Sequence, residues 1–107
     1  MSASACIAFF GVRYEITIDE FEDANDARKK AARKVGLKYY SGNFGGMDER
    51  YLLFIGAQVG ILGPENEMEV TWQPQLLQTL MESTHEKLLA AGFNTEPLLY
   101  LQWEEDI

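Results

Sequence analysis

The sequence predicts a single α+β domain, spanning residues 1–107, whose strands form an antiparallel sheet. Apolar runs rich in β-branched and aromatic residues alternate with two segments at helical spacing, and glycine- or proline-containing turns separate them. Of the 107 residues, 47% are apolar and 24% are charged, a balance typical of a globular domain rather than a disordered chain. A domain of this length can bury a core of its own.

Four segments have the composition of strands. The first is a nearly continuous apolar run, and the others combine aromatic and aliphatic residues between turn signals. They cover residues 5–16, 37–44, 50–62 and 97–103. A turn at Gly63 and Pro64 precedes one further candidate, a short hairpin strand near residues 67–72.

Residues 17–37 predict one helix. Thr17 with Glu20, or Asp19 with Glu22, offers a capping box at its start. Acidic residues crowd the front of this segment and basic residues the back, as the helix dipole prefers. Four basic side chains are expected on the outer, solvated side of the helix: Lys29, Lys30, Arg33 and Lys34.

Residues 73–92 predict a second helix, which begins at Pro74 and ends at Gly92. The resulting element order, β-α-β-β-α-β, resembles the ferredoxin-like arrangement. That resemblance implies a two-layer sandwich in which two helices cover one face of an antiparallel sheet. It implies no particular function, because this fold carries many.

The charge is strongly acidic and unevenly distributed. The net charge is −8, with six acidic against seven basic residues in 1–47 and eleven against two in 48–107. A field of this sign repels phosphates, so we expect no direct binding of nucleic acid. It favours a basic protein partner, and it also leaves open an inhibitor that imitates the charge of nucleic acid.

Few residues could support catalysis or metal binding. Cys6 is the only cysteine and His85 the only histidine, so neither an internal disulfide nor a cysteine-ligated metal site can form. His85 and Glu86 begin a pattern like HExxH, but Leu89 takes the place of the second histidine. We therefore expect no enzymatic activity, no metal and no cofactor.

The cysteine content and the lengths of the apolar runs indicate the cellular compartment in which the protein is expected. A single cysteine suits a reducing environment. No run of about 18 apolar residues could span a membrane, and the apolar run near the start is too short for a signal sequence. We expect a cytoplasmic protein with no membrane association.

The stretch SGNFGGMDERY, residues 41–51, could be a phosphate loop or a turn between strands. A strand follows it rather than a helix, and Asp48 and Glu49 would repel a phosphate. We predict a hairpin loop in which Gly45 and Gly46 supply positive φ and the acidic pair is exposed.

A second series of glycines occurs in residues 56–63. Bulges or a close backbone approach explain Gly56, Gly60 and Gly63 best. The alternative is a small-molecule pocket beside this segment.

Three of the strands are apolar on both faces, which is more than a two-layer fold needs. Monomers rarely leave so much apolar surface uncovered, and closed two-fold dimers are the commonest assembly. We therefore predict a homodimer with Phe9, Tyr100 and Trp103 at its interface, or Phe10 if the alternation is shifted by one residue. The leading hypothesis is a small non-enzymatic interaction domain that presents its acidic loops, with Asp48 and Glu49, to a protein partner.

Overall fold

In the computed structural model of the chain, which describes residues 4–105, four strands form one antiparallel sheet in the order β2-β3-β1-β4. Two short helices connect β1 to β2, and one long helix connects β3 to β4. The elements are β1 (Ala5–Ile16), α1 (Ile18–Glu22), α2 (Ala27–Lys34), β2 (Lys38–Asn43), β3 (Tyr51–Leu62), α3 (Pro74–Ala90) and β4 (Leu98–Glu104). The predicted α+β class, the antiparallel sheet and its four strands are confirmed.

The extra hairpin strand predicted near residues 67–72 is wrong. One isolated bridge joins Leu62 to Glu67, and no strand follows it in this segment. Side chains hold the segment instead. The indole N–H of Trp72 donates to the carbonyl oxygen of Val59 over 2.9 Å, and the side chain of Val70 packs against Gly60, where a Cβ would lie 2.6 Å from it.

The single helix predicted at 17–37 is also wrong, because the chain breaks it between α1 and α2. The carboxylate of Asp23 accepts from the backbone N–H of Asn25 over 2.8 Å. The carboxylate of Asp26 caps α2 by accepting from the backbone N–H of Arg28, also over 2.8 Å. Such side chains compete with the helical backbone for hydrogen bonds, which ends one helix and begins another. The capping box of Thr17 and Glu20 is present at the start of α1.

Lys29 does not lie on a solvated face as predicted. Its side chain is buried, with 3% of the residue exposed. The ammonium donates to the carbonyl oxygens of Glu20, Phe21 and Asp23 over 2.9, 3.1 and 3.0 Å. It therefore caps the C-terminal end of α1, where the helix dipole favours a cation.

The long ribbon of β1 and β3 is bent at a pair of glycines, because the rings of Phe9 and Phe54, which lie four residues apart along the ladder, are only 5.6 Å from each other. Gly11 and Gly56 lie opposite each other and have φ values of 156° and 151°. A Cβ on either would overlap with a carbonyl oxygen of the facing strand. The edge strands lie on different halves of this ribbon, since β2 pairs with Tyr51–Gly56 of β3 and β4 pairs with Ala5–Gly11 of β1.

Side chains of the sheet itself fill the face inside the bend, called here the inner face. Its buried cluster brings residues of both halves together, and the ring of Phe54 lies 5.6 Å from that of Phe9, 5.5 Å from that of Phe44 and 5.6 Å from that of Tyr100. The cluster consists of Ala5, Ile7, Phe9, Leu52 and Phe54. The bent sheet thus covers much of the apolar surplus that predicted a partner.

Helices cover only part of the opposite face, called here the outer face. Val12, Leu53 and Ile55 pack there against Ala32 of α2 and Leu88 of α3. All of these strand residues belong to the half of the ribbon that carries β2. The outer face of the other half is covered only in part, since Phe10 is buried and Val70 packs on Gly60, whereas β4 is exposed.

Candidate interaction surface

The outer face of β4 exposes three large apolar side chains. Leu99, Leu101 and Trp103 lie opposite Phe10, Ala8 and Cys6 of β1, so all three point to the same face. Their exposed fractions are 47%, 72% and 57%. We call these three residues the β4 apolar surface.

A groove continues this surface towards the end of β3. It has a volume of about 350 Å³ and is lined mainly by apolar atoms, with Glu67 as its one charged residue. Leu62 and Met68 on its wall are 36% and 82% exposed. Cys6 is half-buried and also lines this groove.

β4 also has a free edge. Within the described residues it pairs with β1 alone, so its other edge presents unpaired backbone groups. Natural edge strands are usually protected by lysine, proline or a bulge. Leu98–Glu104 contains neither lysine nor proline, so little protects this edge from pairing with another strand.

The three predicted contact residues lie on two different faces. Phe9 is completely buried in the inner face and offers no contact surface, and Phe10 is 9% exposed. Tyr100 is half-buried beside Phe9, under the guanidinium of Arg13 at 4.7 Å. Only Trp103 is both exposed and on the outer face.

The sequence did contain the signal for Leu99 and Leu101. They alternate with Trp103 along the last strand, but alternation alone does not tell which set faces the core. Aromatic content favoured Phe9 and Tyr100 as contacts, whereas the bend at Gly11 turns their face inward.

The acidic pair lies on an ordered hairpin loop between β2 and β3. Asp48 and Glu49 are both exposed, and the Asn43 carboxamide holds the loop by accepting from the N–H groups of Gly45 and Arg50 over 3.1 and 3.0 Å. The hairpin prediction therefore agrees with the structure.

Only one of the two loop glycines has the predicted conformation. Gly46 has a φ of 59°, whereas the φ of Gly45 is −99°. Gly45 is required for a close approach instead, because a Cβ there would lie 2.7 Å from the backbone nitrogen of Arg50. Glu49 adopts the second positive φ of the loop, 46°.

A polar contact joins the two edge strands across the inner face. The hydroxyl of Tyr40 on β2 donates to the carboxylate of Glu104 on β4 over 2.5 Å. Burial raises the pKa of Tyr40 above its usual value, and the hydrogen bond to Glu104 and the negative charge of Glu104 raise it further. On the same face, Arg13 donates to Gln102 over 2.7 Å.

A second concavity lies between α3 and the β2 side of β3. Its volume is about 190 Å³, and its lining includes Gly56, Gln58, Ser83, Lys38 and Lys87. Ligand pockets usually measure roughly 300–1,000 Å³. This one is therefore large enough only for a small ion or molecule.

The part of the chain that the structure describes, residues 4–105, assembles no cluster of metal-ligating side chains. No three His, Cys, Asp or Glu side chains of this part are grouped to hold a metal ion. His85 is exposed on α3. Among the helices described, none has the length and apolar character needed to cross a membrane.

Comparison of the chain with protein-family models, with curated proteins and with solved structures finds no match.

Proposed function

We propose that this protein is a non-enzymatic interaction domain that acts as a homodimer through the β4 apolar surface. The observation that carries the proposal is the uncovered set of Leu99, Leu101 and Trp103 on one face of an unprotected edge strand. Full burial of a completely exposed large apolar side chain contributes about 1.5–3 kcal/mol, and Leu99, Leu101 and Trp103 keep 47%, 72% and 57% of their surface exposed. Three such side chains from each of two copies can offset an association cost on the order of 4–15 kcal/mol.

A second copy is the simplest occupant of this surface. In a two-fold dimer the same patch is buried on both partners, so an apolar patch is covered by an identical one. Trp103 has the character of an interface anchor, because tryptophan is enriched among the residues that dominate binding energy.

The acidic hairpin loop would then be displayed twice by the dimer. Asp48 and Glu49 are exposed on a loop that side-chain hydrogen bonds hold in place, and the net charge of −8 favours a basic protein partner over nucleic acid. We place this activity in the cytoplasm, because the single cysteine suits a reducing compartment.

The proposed architecture is a ferredoxin-like arrangement that is bent in the middle. Its support is the strand order, in which β1 and β3 are central and β2 and β4 lie at the edges. The helices lie in the connections from β1 to β2 and from β3 to β4, whereas a hairpin loop joins β2 to β3. The bend at Gly11 and Gly56 distinguishes it from a flat two-layer sandwich.

Sedimentation velocity of the full chain tests the proposed function. We expect a dimer at tens of micromolar, and Leu101→Glu should give a folded monomer because a charge would otherwise be buried in the interface. Leu89→Glu is the matched control, since Leu89 is 52% exposed on α3 and should leave the dimer intact. A wild-type monomer up to several hundred micromolar would overturn the proposal.

A second candidate is binding of a small anion in the concavity beside Gly56. Its specific support is that Lys38 and Lys87 both line this concavity in an otherwise acidic protein. Thermal unfolding with phosphate, citrate and acetate would test it at constant ionic strength. Stabilisation by one anion that disappears in Lys87→Gln would favour this candidate, and equal melting temperatures in all buffers would remove it.

A further inference from the structure

We infer that the concavity between α3 and the β2 side of β3 binds a small organic phosphate monoester, whose phosphate group lies between Lys38 and Lys87. This inference rests on the second candidate function, anion binding, and names the class of ligand. It does not involve the β4 apolar surface, whose three residues do not line this concavity.

Within the described residues, two basic side chains without a partner line the same concavity. The chain contains nine lysine and arginine residues. Five of them are held by carboxylates or by other oxygen atoms: Arg13, Arg28, Lys29, Arg33 and Arg50. No ion pair or hydrogen bond within residues 4–105 occupies the ammonium groups of the other four, Lys30, Lys34, Lys38 and Lys87. Two of these four, Lys38 and Lys87, meet at the concavity.

The two lysines come from different elements of the fold. Lys38 is the first residue of β2, and Lys87 lies in the last turn of α3. None of the described residues that line the concavity is acidic, and Glu82 and Glu86 of α3 line a separate hollow. Like charges that face the same space repel each other, and an anion between them offsets this repulsion.

The number and type of the cationic groups favour a phosphate monoester. Such a group carries about −1.5 to −2 charges at pH 7, which matches two ammonium ions better than the single charge of a carboxylate or a phosphodiester. An ammonium ion binds as a compact point charge, whereas the planar fork of arginine suits bidentate contacts. Two lysines can therefore hold different oxygens of one tetrahedral phosphate.

The remaining lining restricts the organic part of the ligand. Ser83 contributes a hydroxyl and Gln58 a carboxamide, and both groups can form hydrogen bonds with hydroxyls. The hydroxyl of Thr84 already donates to the carbonyl oxygen of Leu80 over 2.7 Å, so towards a ligand it can only accept. The volume of about 190 Å³ lies below the range of roughly 300–1,000 Å³ for drug-sized ligands. The site therefore fits a phosphate with a short hydroxylated chain and excludes a nucleotide.

Calorimetric titration of the full chain with glycerol 3-phosphate tests the inference. This compound joins a phosphate monoester to two hydroxyl groups. We expect it to bind more tightly than inorganic phosphate, which lacks the hydroxylated chain, and than dimethyl phosphate, which is a singly charged diester. The three titrations use the same ionic strength, because salt screens the exposed lysines.

Lys38→Gln and Lys87→Gln should each weaken the binding of glycerol 3-phosphate about tenfold or more, since each removes a charged donor to the phosphate. Both lysines are exposed, so the variants should fold, and thermal unfolding verifies this. Lys30→Gln is the matched control, because Lys30 is exposed on α2 and does not line the concavity. It should bind with the affinity of the wild type.

The possible results separate this inference from the function on which it rests. Equal affinities for glycerol 3-phosphate and inorganic phosphate, both lost in Lys87→Gln, would retain the anion site and overturn the ester as its ligand. Equal weakening in Lys30→Gln and Lys87→Gln would indicate attraction by surface charge in general and overturn the site. No binding of either phosphate at millimolar concentration would overturn both the inference and the second candidate, and sedimentation would still decide the homodimer independently.

Discussion

Gly11 and Gly56 lie opposite each other in the β1–β3 ladder, and neither position leaves room for a Cβ. This pair allows the ribbon to bend, and the bend brings Phe9 and Phe54 into one cluster, where their rings are 5.6 Å apart. Much of the sheet that would otherwise face solvent is buried by this contact. On the outer face of the sheet, β4 keeps three exposed large apolar side chains, Leu99, Leu101 and Trp103.

Gly56→Ala should destabilise the protein strongly, by about 3 kcal/mol or more, because the new methyl group meets the carbonyl oxygen of Phe10 and positive φ adds strain. Urea unfolding followed by circular dichroism measures the loss. Gly36→Ala is the control, since its φ is 78° but no atom lies within 4 Å of the new Cβ. It should cost about 1–2 kcal/mol from the backbone alone. Equal losses in both variants would show that the bend does not depend on the glycine pair.

Tyr40→Phe should lower the free energy of unfolding by about 1–2 kcal/mol. The variant removes the hydroxyl that donates to Glu104 and keeps the ring that packs against Phe44. Chemical denaturation measures this change, and Tyr51→Phe, which keeps the ring that packs against Phe21, serves as the control. A loss in Tyr40→Phe no larger than that of the control would mean that the contact between β2 and β4 contributes little.

The stability of the protein should fall above pH 10, because the pKa of Tyr40 is raised in the folded state. An unfolded tyrosine loses its proton near a pKa of about 10. Above that pH the folded state binds more protons at Tyr40 than the unfolded state, so the free energy of unfolding decreases as pH rises. The difference between wild type and Tyr40→Phe should therefore shrink from pH 9 to pH 11. A difference that stays constant over this range would contradict the raised pKa.

Lys29→Met should destabilise the protein by about 1–3 kcal/mol. Methionine keeps most of the buried aliphatic chain but removes the ammonium that satisfies three carbonyl oxygens at the end of α1. Lys30→Met is the matched control, because Lys30 is adjacent and exposed, and its effect should stay within about 0.5 kcal/mol. Thermal and urea unfolding of both variants measure the contrast, and similar stabilities would show that Lys29 does not act as a cap.

The sequence predicted the parts of this protein that depend on nearby residues. Alternation and β-branched residues predicted the strands, and β1 begins and ends at the predicted residues, Ala5 and Ile16. The hairpin loop with Asp48 and Glu49 was predicted because a strand, rather than a helix, comes after it. These features depend on local backbone preferences and turn chemistry, which short stretches of sequence record.

The tertiary structure decided which faces are buried and where a partner could bind. The bend requires that Gly11 and Gly56 meet, and pairing between residues far apart in the chain leaves no local pattern. That bend buries Phe9 and leaves Trp103 exposed, although both are aromatic residues of apolar strands. The burial of Lys29 likewise depends on the break between α1 and α2, which lets its ammonium reach back to the carbonyl oxygens of α1. The whole arrangement of the chain decides burial, so residues with the same local pattern differ in how much of their surface is exposed.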